Sequence, residues 1–264
     1  MSAIDATFRR LRDRGEKGLV VYLTAGDPSP AASLRYLRAA AGAGADILEV
    51  GVPFSDPTAD GPTIEAASRR ALSSGMTVSG ALDLVRAFRK TNETPIVLFG
   101  YYNPLYRYGW PSLCRDARRS GVDGVLVVDL PIEETGEVLP SIRREGLDWI
   151  PLAAPTSGIP RVRRADRTGS GFLYLISVTG VTGVRDALPP EAAGWTRNIS
   201  RVARLPVAVG FGISTPAMAK AATRHADAAV VGSACVRIVG KYGRDLRGPS
   251  ELSKFVRSVK TALR

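Results

Sequence analysis

Two carboxylates, Glu49 and Asp60, flank a stiff segment that carries three prolines, Pro53-Phe54-Ser55-Asp56-Pro57-Thr58-Ala59-Asp60-Gly61-Pro62. Glu49 lies in the run Ile47-Leu48-Glu49-Val50-Gly51-Val52. Read as a strand, this run puts Ile47, Glu49 and Gly51 on one face and the wholly apolar Leu48, Val50 and Val52 on the other. The apolar face belongs against covering helices, so Glu49 points the opposite way, into the interior. A buried carboxylate is costly unless it is paired, yet none of the strand-like segments contains a Lys or Arg. Such a group is expected to hold its proton above the ordinary carboxylate range, which suits general acid–base chemistry. Asp60 by itself reads equally as a turn residue ahead of Gly61. Asp129, closing the run Gly124–Leu130, is a third candidate, facing inward or sitting at the rim.

A second group of residues could hold an anion. Thr179-Gly180-Val181-Thr182-Gly183, Gly210-Phe211-Gly212-Ile213-Ser214 and Gly232-Ser233 are glycine-bearing turns that each follow an apolar run. Glycine lets backbone N–H groups approach a phosphate, and a helix N-terminus adds to the attraction.

The elements that must position these groups alternate along the chain. Apolar, β-branched runs fall at Leu19–Thr24, Ile47–Val52, Pro95–Tyr101, Gly124–Leu130, Trp149–Ala153, Phe172–Ser177, Val207–Phe211 and Ala229–Gly232. Continuous apolar runs of this length mark parallel strands covered on both faces. Between them, amphipathic patterns predict helices near 30–43, 63–72, 78–91, 111–119, 133–145, 159–166, 191–203, 215–224 and 249–263. Pro30, Pro160, Pro190 and Pro216 stand at or near the starts of their segments, where a missing N–H costs nothing. Eight strand–helix units in 264 residues match a closed (β/α)₈ barrel, an α/β fold of about 250 residues. Met1–Arg14 reads as an extra N-terminal helix, and no linker divides the chain, so residues 1–264 are read as a single TIM-barrel domain. In such barrels the chemistry sits at the C-terminal ends of the strands, and phosphate is often held by the loops after the last two.

Composition excludes several alternatives. No stretch approaches the roughly 20 apolar residues of a membrane span, and Met1–Arg14 has no apolar core of a secretory signal, so a cytoplasmic setting is expected. The net charge is +11, but the basic residues are scattered, as in Arg118-Arg119 and Arg143-Arg144, without the interleaved aromatics of a nucleic-acid surface. Cys114 and Cys235 have no metal or redox spacing and read as buried thiols, and no metal site is expected.

The run from Leu48 to Pro62 resembles the signature of the tryptophan synthase α subunit family. The resemblance continues through Thr24-Ala25-Gly26-Asp27-Pro28, Gly100-Tyr101-Tyr102-Asn103-Pro104, Asp129-Leu130-Pro131, Ala154-Pro155-Thr156-Ser157, Gly180-Val181-Thr182-Gly183 and Gly210-Phe211-Gly212-Ile213-Ser214. It implies retro-aldol cleavage of indole-3-glycerol phosphate to indole and glyceraldehyde 3-phosphate. Glu49 would be the acid–base residue, Asp60 the carboxylate facing the indole N–H, and Tyr174 a tyrosine beside the pair. Gly183, Gly212, Gly232 and Ser233 would cradle the phosphate, with Tyr22, Thr182 and Phe211 flanking the substrate. Loop 178–190, with Thr182 and Arg185, would be a lid. Asp56, Pro57, Asn103 and Pro104 would face a β subunit in an α₂β₂ assembly. No cofactor is implied for this chain, since pyridoxal phosphate belongs to the β subunit. A stand-alone lyase releasing free indole is the alternative. The chain departs from the family pattern at Tyr22, Thr58, Phe99 and Val128, without loss of a catalytic group.

Overall fold

The computed structural model describes residues 1–176 and 190–264. Its strands are β1 (Gly18–Thr24), β2 (Ile47–Gly51), β3 (Ile96–Gly100), β4 (Gly124–Val127), β5 (Asp148–Trp149), β6 (Leu152–Ala153), β7 (Leu173–Ile176), β8 (Val207–Gly210) and β9 (Ala228–Val231). The helices are α1 (Ala3–Asp13), α2 (Pro30–Gly42), α3 (Pro62–Ser73), α4 (Val78–Arg89), α5 (Tyr102–Tyr108), α6 (Trp110–Ser120), α7 (Leu139–Arg144), α8 (Ile159–Thr168), α9 (Pro190–Ser200), α10 (Pro216–Ala222), α11 (Ser233–Tyr242) and α12 (Arg247–Ala262). A 3₁₀ turn, Ile132–Glu137, precedes α7.

The strands run parallel in the order β5-β4-β3-β2-β1-β9-β8-β7-β6. The first and last of that order are consecutive in the chain, so the sheet closes on itself. The expected strand Trp149–Ala153 is therefore corrected to two short ladders on opposite neighbours. Ile150 donates its N–H to Val125 O of β4 at 2.9 Å, and Pro151 O accepts from Tyr174 N–H of β7 at 2.9 Å. Pro151 has no N–H of its own, which interrupts the ladder between the halves.

Period two separates two cores. Leu19, Val21, Leu23, Leu48, Val50 and Val52 pack outward among the helices. Val20, Ile47, Val97, Leu126, Ile150, Phe172 and Tyr174 fill the barrel. α1 closes the N-terminal end of the barrel. A capping box starts it: Ser2 Oγ accepts from Asp5 N–H and Asp5 accepts from Ser2 N–H, both at 3.1 Å. Its Ile4 and Phe8 join the inner core, and Phe8 packs on Phe172 at 5.8 Å.

Two helices were not legible in the sequence. α11 contains Val236, Ile238, Val239 and Gly240, residues of modest helix propensity. α5 is short and carries Pro104. The expected helix 133–145 divides at Val138, with Pro140 in the first turn of α7. Among the described residues no helix is long and apolar enough to cross a membrane.

α12 is fastened to the barrel by a buried cation. Lys260 Nζ donates to Asp46 Oδ2 at 2.8 Å and to Lys17 O at 3.1 Å, with Glu16 Oε2 at 3.4 Å. Replacing Lys260 by Ala leaves the largely buried Asp46 with only the half-exposed Arg10 guanidinium, 3.9 Å away, as its cation. Urea unfolding is expected to show a loss of about 3 kcal/mol, with an unchanged m-value.

Candidate active site

Glu49 sits on β2 opposite Tyr22 of β1 and Val97 of β3 in the register. Its side chain is completely buried, and neither carboxylate oxygen has a hydrogen-bond partner among the described residues. Burial pushes its pKa up to about 8. Glu49 is therefore protonated at neutral pH and close to its titration point, as a group that both gives and takes a proton should be. Tyr174 on β7 is also buried, and burial first, then the Glu49 charge, push its phenol well above the ordinary range.

Asp60 ends the proline-rich loop, and α3 begins directly after it at Pro62. The Tyr101 hydroxyl accepts from Ala59 N–H at 3.1 Å and hydrogen-bonds the Asp60 carboxylate. Burial raises Asp60 to about 6, while the Tyr101 bond pulls it down. Asp60 is thus the anion of the pair above that pH and Glu49 the acid. Two carboxyl groups in one cavity with separated midpoints have separated roles.

Both carboxylates line one cavity of about 100 Å³ at the C-terminal end of the barrel. Tyr22, Ile64, Phe99, Tyr174, Ile213 and Val230 form apolar and aromatic walls. Phe99 meets Tyr22 edge-on at 5.1 Å. Gly210, Gly212, Gly232 and Ser233 complete the lining. Gly212 has φ +71°, which a side chain would strain. A Cβ on Gly210 would stand 2.5 Å from the Tyr174 hydroxyl, so the phenol occupies the space the glycine leaves. Gly232 caps α11, whose first N–H groups have no acceptor within the helix. A helix N-terminus among glycines can receive an anion.

The sequence expectations divide accordingly. Glu49, Asp60, Tyr174, Tyr22, Gly212, Gly232 and Ser233 meet in the cavity. Phe211 does not line it: the ring is buried in the outer core and packs on Trp195 at 6.3 Å. Val207 and Val209 of β8 point outward and Ala208 inward, and Phe211 continues that alternation one residue past the strand. Asp129 is a rim residue, exposed and accepting from Tyr102 N–H at the start of α5 at 2.6 Å. Thr182, Gly183 and Arg185 lie outside the described residues, as does the expected lid up to residue 189. Asp56 and Asn103 are exposed and Pro57 and Pro104 half-buried; Asp56 and Pro57 sit on the loop after β2, and Asn103 and Pro104 in the first turn of α5 after β3, at the same end of the barrel. Tyr101, which holds Asp60, was missed as a site residue. Only its place in Gly100-Tyr101-Tyr102-Asn103-Pro104 could have signalled it. A wider groove of about 840 Å³ between α1, residues 89–95 and α12 lies at the other end of the barrel and contains none of these groups. Among the described residues no group of three or more His, Cys, Asp or Glu could hold a metal ion.

A closed parallel barrel with an acid–anion carboxyl pair and a glycine-lined helix N-terminus at its C-terminal mouth has the architecture of a (β/α)₈-barrel enzyme. The family model described as "Tryptophan synthase alpha chain" matches residues 8–263. The chain belongs to the tryptophan synthase alpha chain family. It is 47% identical to the alpha chain of Citrifermentans bemidjiense over 261 residues, 98% of this chain and 97% of that one. The crystal structure of the alpha chain from Legionella pneumophila superposes with a TM-score of 0.91 at 34% identity, covering 100% and 97% of the two chains. A chain of the tryptophan synthase α₂β₂ complex from Pyrococcus furiosus superposes at 0.86 with 41% identity, covering 92% and 98%.

The raised Glu49 midpoint is also a statement about stability. In the unfolded chain Glu49 ionises near its ordinary value of 4.5, but in the fold only near 8. Between those values the unfolded state binds fewer protons, so stability falls as pH rises. Glu49→Gln removes this loss. Urea unfolding is expected to find the variant close to wild type at pH 4.5 and more stable than wild type at pH 8, by a few kcal/mol at most.

Proposed function

We propose that the chain cleaves indole-3-glycerol phosphate to indole and glyceraldehyde 3-phosphate. The observation that carries this reading is Glu49, buried and without a hydrogen-bond partner among the described residues, in one cavity with the ionisable Asp60. Cleavage of the bond between indole C3 and the glycerol side chain needs one proton delivered and one removed. Protonated Glu49 gives its proton to C3, placing positive charge on the ring nitrogen. The Asp60 carboxylate faces the ring N–H and stabilises that charge electrostatically. Glu49, now ionised, takes the proton of the side-chain hydroxyl. The oxygen electrons form the aldehyde, the C–C pair returns to the ring, and Glu49 ends as it began.

The substrate's phosphate would sit on the N–H groups of Gly212, Gly232 and Ser233 at the start of α11, with Gly183 and Thr182 contributing from the lid. Tyr22, Phe99 and Tyr174 would enclose the ring, and Phe211 would support them from the outer layer. The atoms balance without an oxidant, reductant or metal, so this chain needs no cofactor of its own. Its two thiols, Cys114 and Cys235, are pushed up by burial to about 11 and about 12 and take no part. Free, buried cysteines accord with a cytoplasmic setting. The exposed faces around Asp56, Pro57, Asn103 and Pro104 would meet a β subunit that carries pyridoxal phosphate and consumes the indole, in an α₂β₂ assembly.

The test is turnover of indole-3-glycerol phosphate by the purified chain, following glyceraldehyde 3-phosphate with and without a β subunit. Slow turnover accelerated many-fold by the partner is expected. Turnover indifferent to the partner would make the chain a free-standing lyase, and none in either mixture would remove the reading. Glu49→Gln is expected to abolish cleavage while the affinity for glycerol phosphate stays near wild type. Asp60→Asn should lower kcat at least about 100-fold. A near-normal rate would return Asp60 to turn structure alone.

A further inference from the structure

α3 and α11 lie side by side, and each begins at the cavity. α3 starts two residues after Asp60 and lines the cavity with Ile64; α11 starts at Ser233, directly behind Gly232. On α3, Ile64, Ala67 and Arg70 recur every three residues and share one face. On α11, Val236 and Gly240 are four apart and share another. The two faces meet. Ile64 and Ala67 pack with Val236, and the Arg70 guanidinium lies on Gly240, where a Cβ would stand 3.3 Å from Arg70 Nη2. The same guanidinium is bound to the loop after β1. Its Nε and Nη2 donate to the two Asp27 carboxylate oxygens at 2.7 and 2.8 Å, and Asp27 is almost wholly buried. Asp27 is held to the strand end in turn, its N–H donating to Thr24 O at 3.3 Å. Ser74 Oγ, at the C-cap of α3, donates to Gly26 O of the same loop at 3.1 Å.

We propose that Arg70, locked to Asp27, is a positioning residue that sets the separation of α3 from α11, and with it the separation of Asp60 from Gly232 and Ser233 that a substrate has to bridge. A planar fork held by two parallel bonds fixes direction as well as distance, which a single contact does not. The anchor comes from the end of β1, so α3 is held to the rigid sheet and not only to its neighbouring helix. Ala67 and Gly240 are small enough to let the two helices approach, and the guanidinium is the spacer where they would otherwise close further. Arg70 stands six residues along α3 from Ile64, roughly 9 Å by helical rise. Among the described residues no basic side chain lines the cavity, so Arg70 acts through the two helices and not on the substrate. The consequence for catalysis rests on the substrate and the Asp60 role proposed above; the placing of Asp60 by Arg70 does not.

Two variants test this. Arg70→Lys keeps a cation beside the buried Asp27, and so the fold, but gives up the fork and the breadth of the guanidinium. Asp27→Asn keeps Arg70 and weakens its anchor. In both, Asp60 is expected to be less enclosed. Burial is what raises its midpoint, so carboxyl-carbon NMR titration, assigned with Asp60→Asn, should find it below about 6, moved toward the ordinary 3.8. Lysine keeps the charge, so a shift in Arg70→Lys reports position. Glycerol phosphate engages only the phosphate end and should bind near wild type. Indole-3-propanol phosphate lacks the hydroxyl that Glu49 would deprotonate, so it binds without being cleaved and has to reach both Asp60 and the phosphate end. Its Kd should rise, and kcat/KM for indole-3-glycerol phosphate should fall, by about 10- to 100-fold. A pair that serves stability alone would lower the urea midpoint and leave the titration and both affinities of the folded protein where they were. An Asp60 midpoint unchanged in both variants, or equal losses of affinity for the two ligands, would overturn the assignment. A wild type that neither binds indole-3-propanol phosphate nor cleaves the substrate would remove the functional reading, and the Asp60 titration would then decide the positioning role by itself.

Discussion

The constraint on which the rest of this structure depends is the burial of the Glu49 carboxyl without a partner. A cation would hold it ionised and a donor would lower its midpoint; among the described residues the barrel supplies neither, and the side chain is fully buried. The cost is borne by the closed sheet, whose strands bury Val20, Ile47, Val97 and Leu126 beneath the site. It is also borne by α1, which closes the N-terminal end of the barrel with Ile4 and Phe8. A barrel open at that end would let water reach the interior and return Glu49 to an ordinary carboxylate. The fold thus sets the proton affinity of its central acid through exclusion alone.

Asp60 is treated differently, and the contrast defines the site. It is less buried, sits on a loop rather than a strand, and receives a phenolic hydrogen bond. Two carboxyls in one cavity can therefore differ by about two units in proton affinity, from about 8 to about 6, without a metal or a cation between them. Glycines make the arrangement possible at close quarters. Gly51 and Gly210 leave space for the Tyr22 and Tyr174 hydroxyls, and Gly212 and Gly232 line the same cavity. The cavity is small because aromatic rings fill whatever the glycines vacate.

The positive charge has a place in the same scheme. Crossover helices run antiparallel to the strands, so their C-termini gather at the end of the barrel away from the site. Arg86 and Arg89 of α4, Arg118 and Arg119 of α6, and Arg143 and Arg144 of α7 all lie in last turns. There they offset the negative ends of the helix dipoles. The Arg118-Arg119 and Arg143-Arg144 doublets are thus charges at helix ends, while the N-terminus of α11 is left free to face the cavity.

The sequence by itself determined the barrel and its principal acid. Eight apolar runs spaced by amphipathic segments have few other ways to bury both faces, and period two around Glu49 sends the carboxylate inward whatever its neighbours are. The same rule explains why Phe211 belongs to the outer layer, in step with Val207 and Val209 of β8. Local chemistry was not enough at Pro151, where one stave is shared between two ladders, or at α11, whose β-branched residues and glycine make a poor helix in isolation. Only the tertiary structure decided which groups meet. Asp60 was a turn residue until the loop folded over the barrel mouth, Asp129 was left at the rim, and Tyr101 came to hold Asp60 from a different strand. Period and propensity are carried by neighbouring residues, whereas a proton's affinity for a carboxylate is set by everything the fold brings within a few ångströms, from β1, β2, β3, β7 and α3 at once.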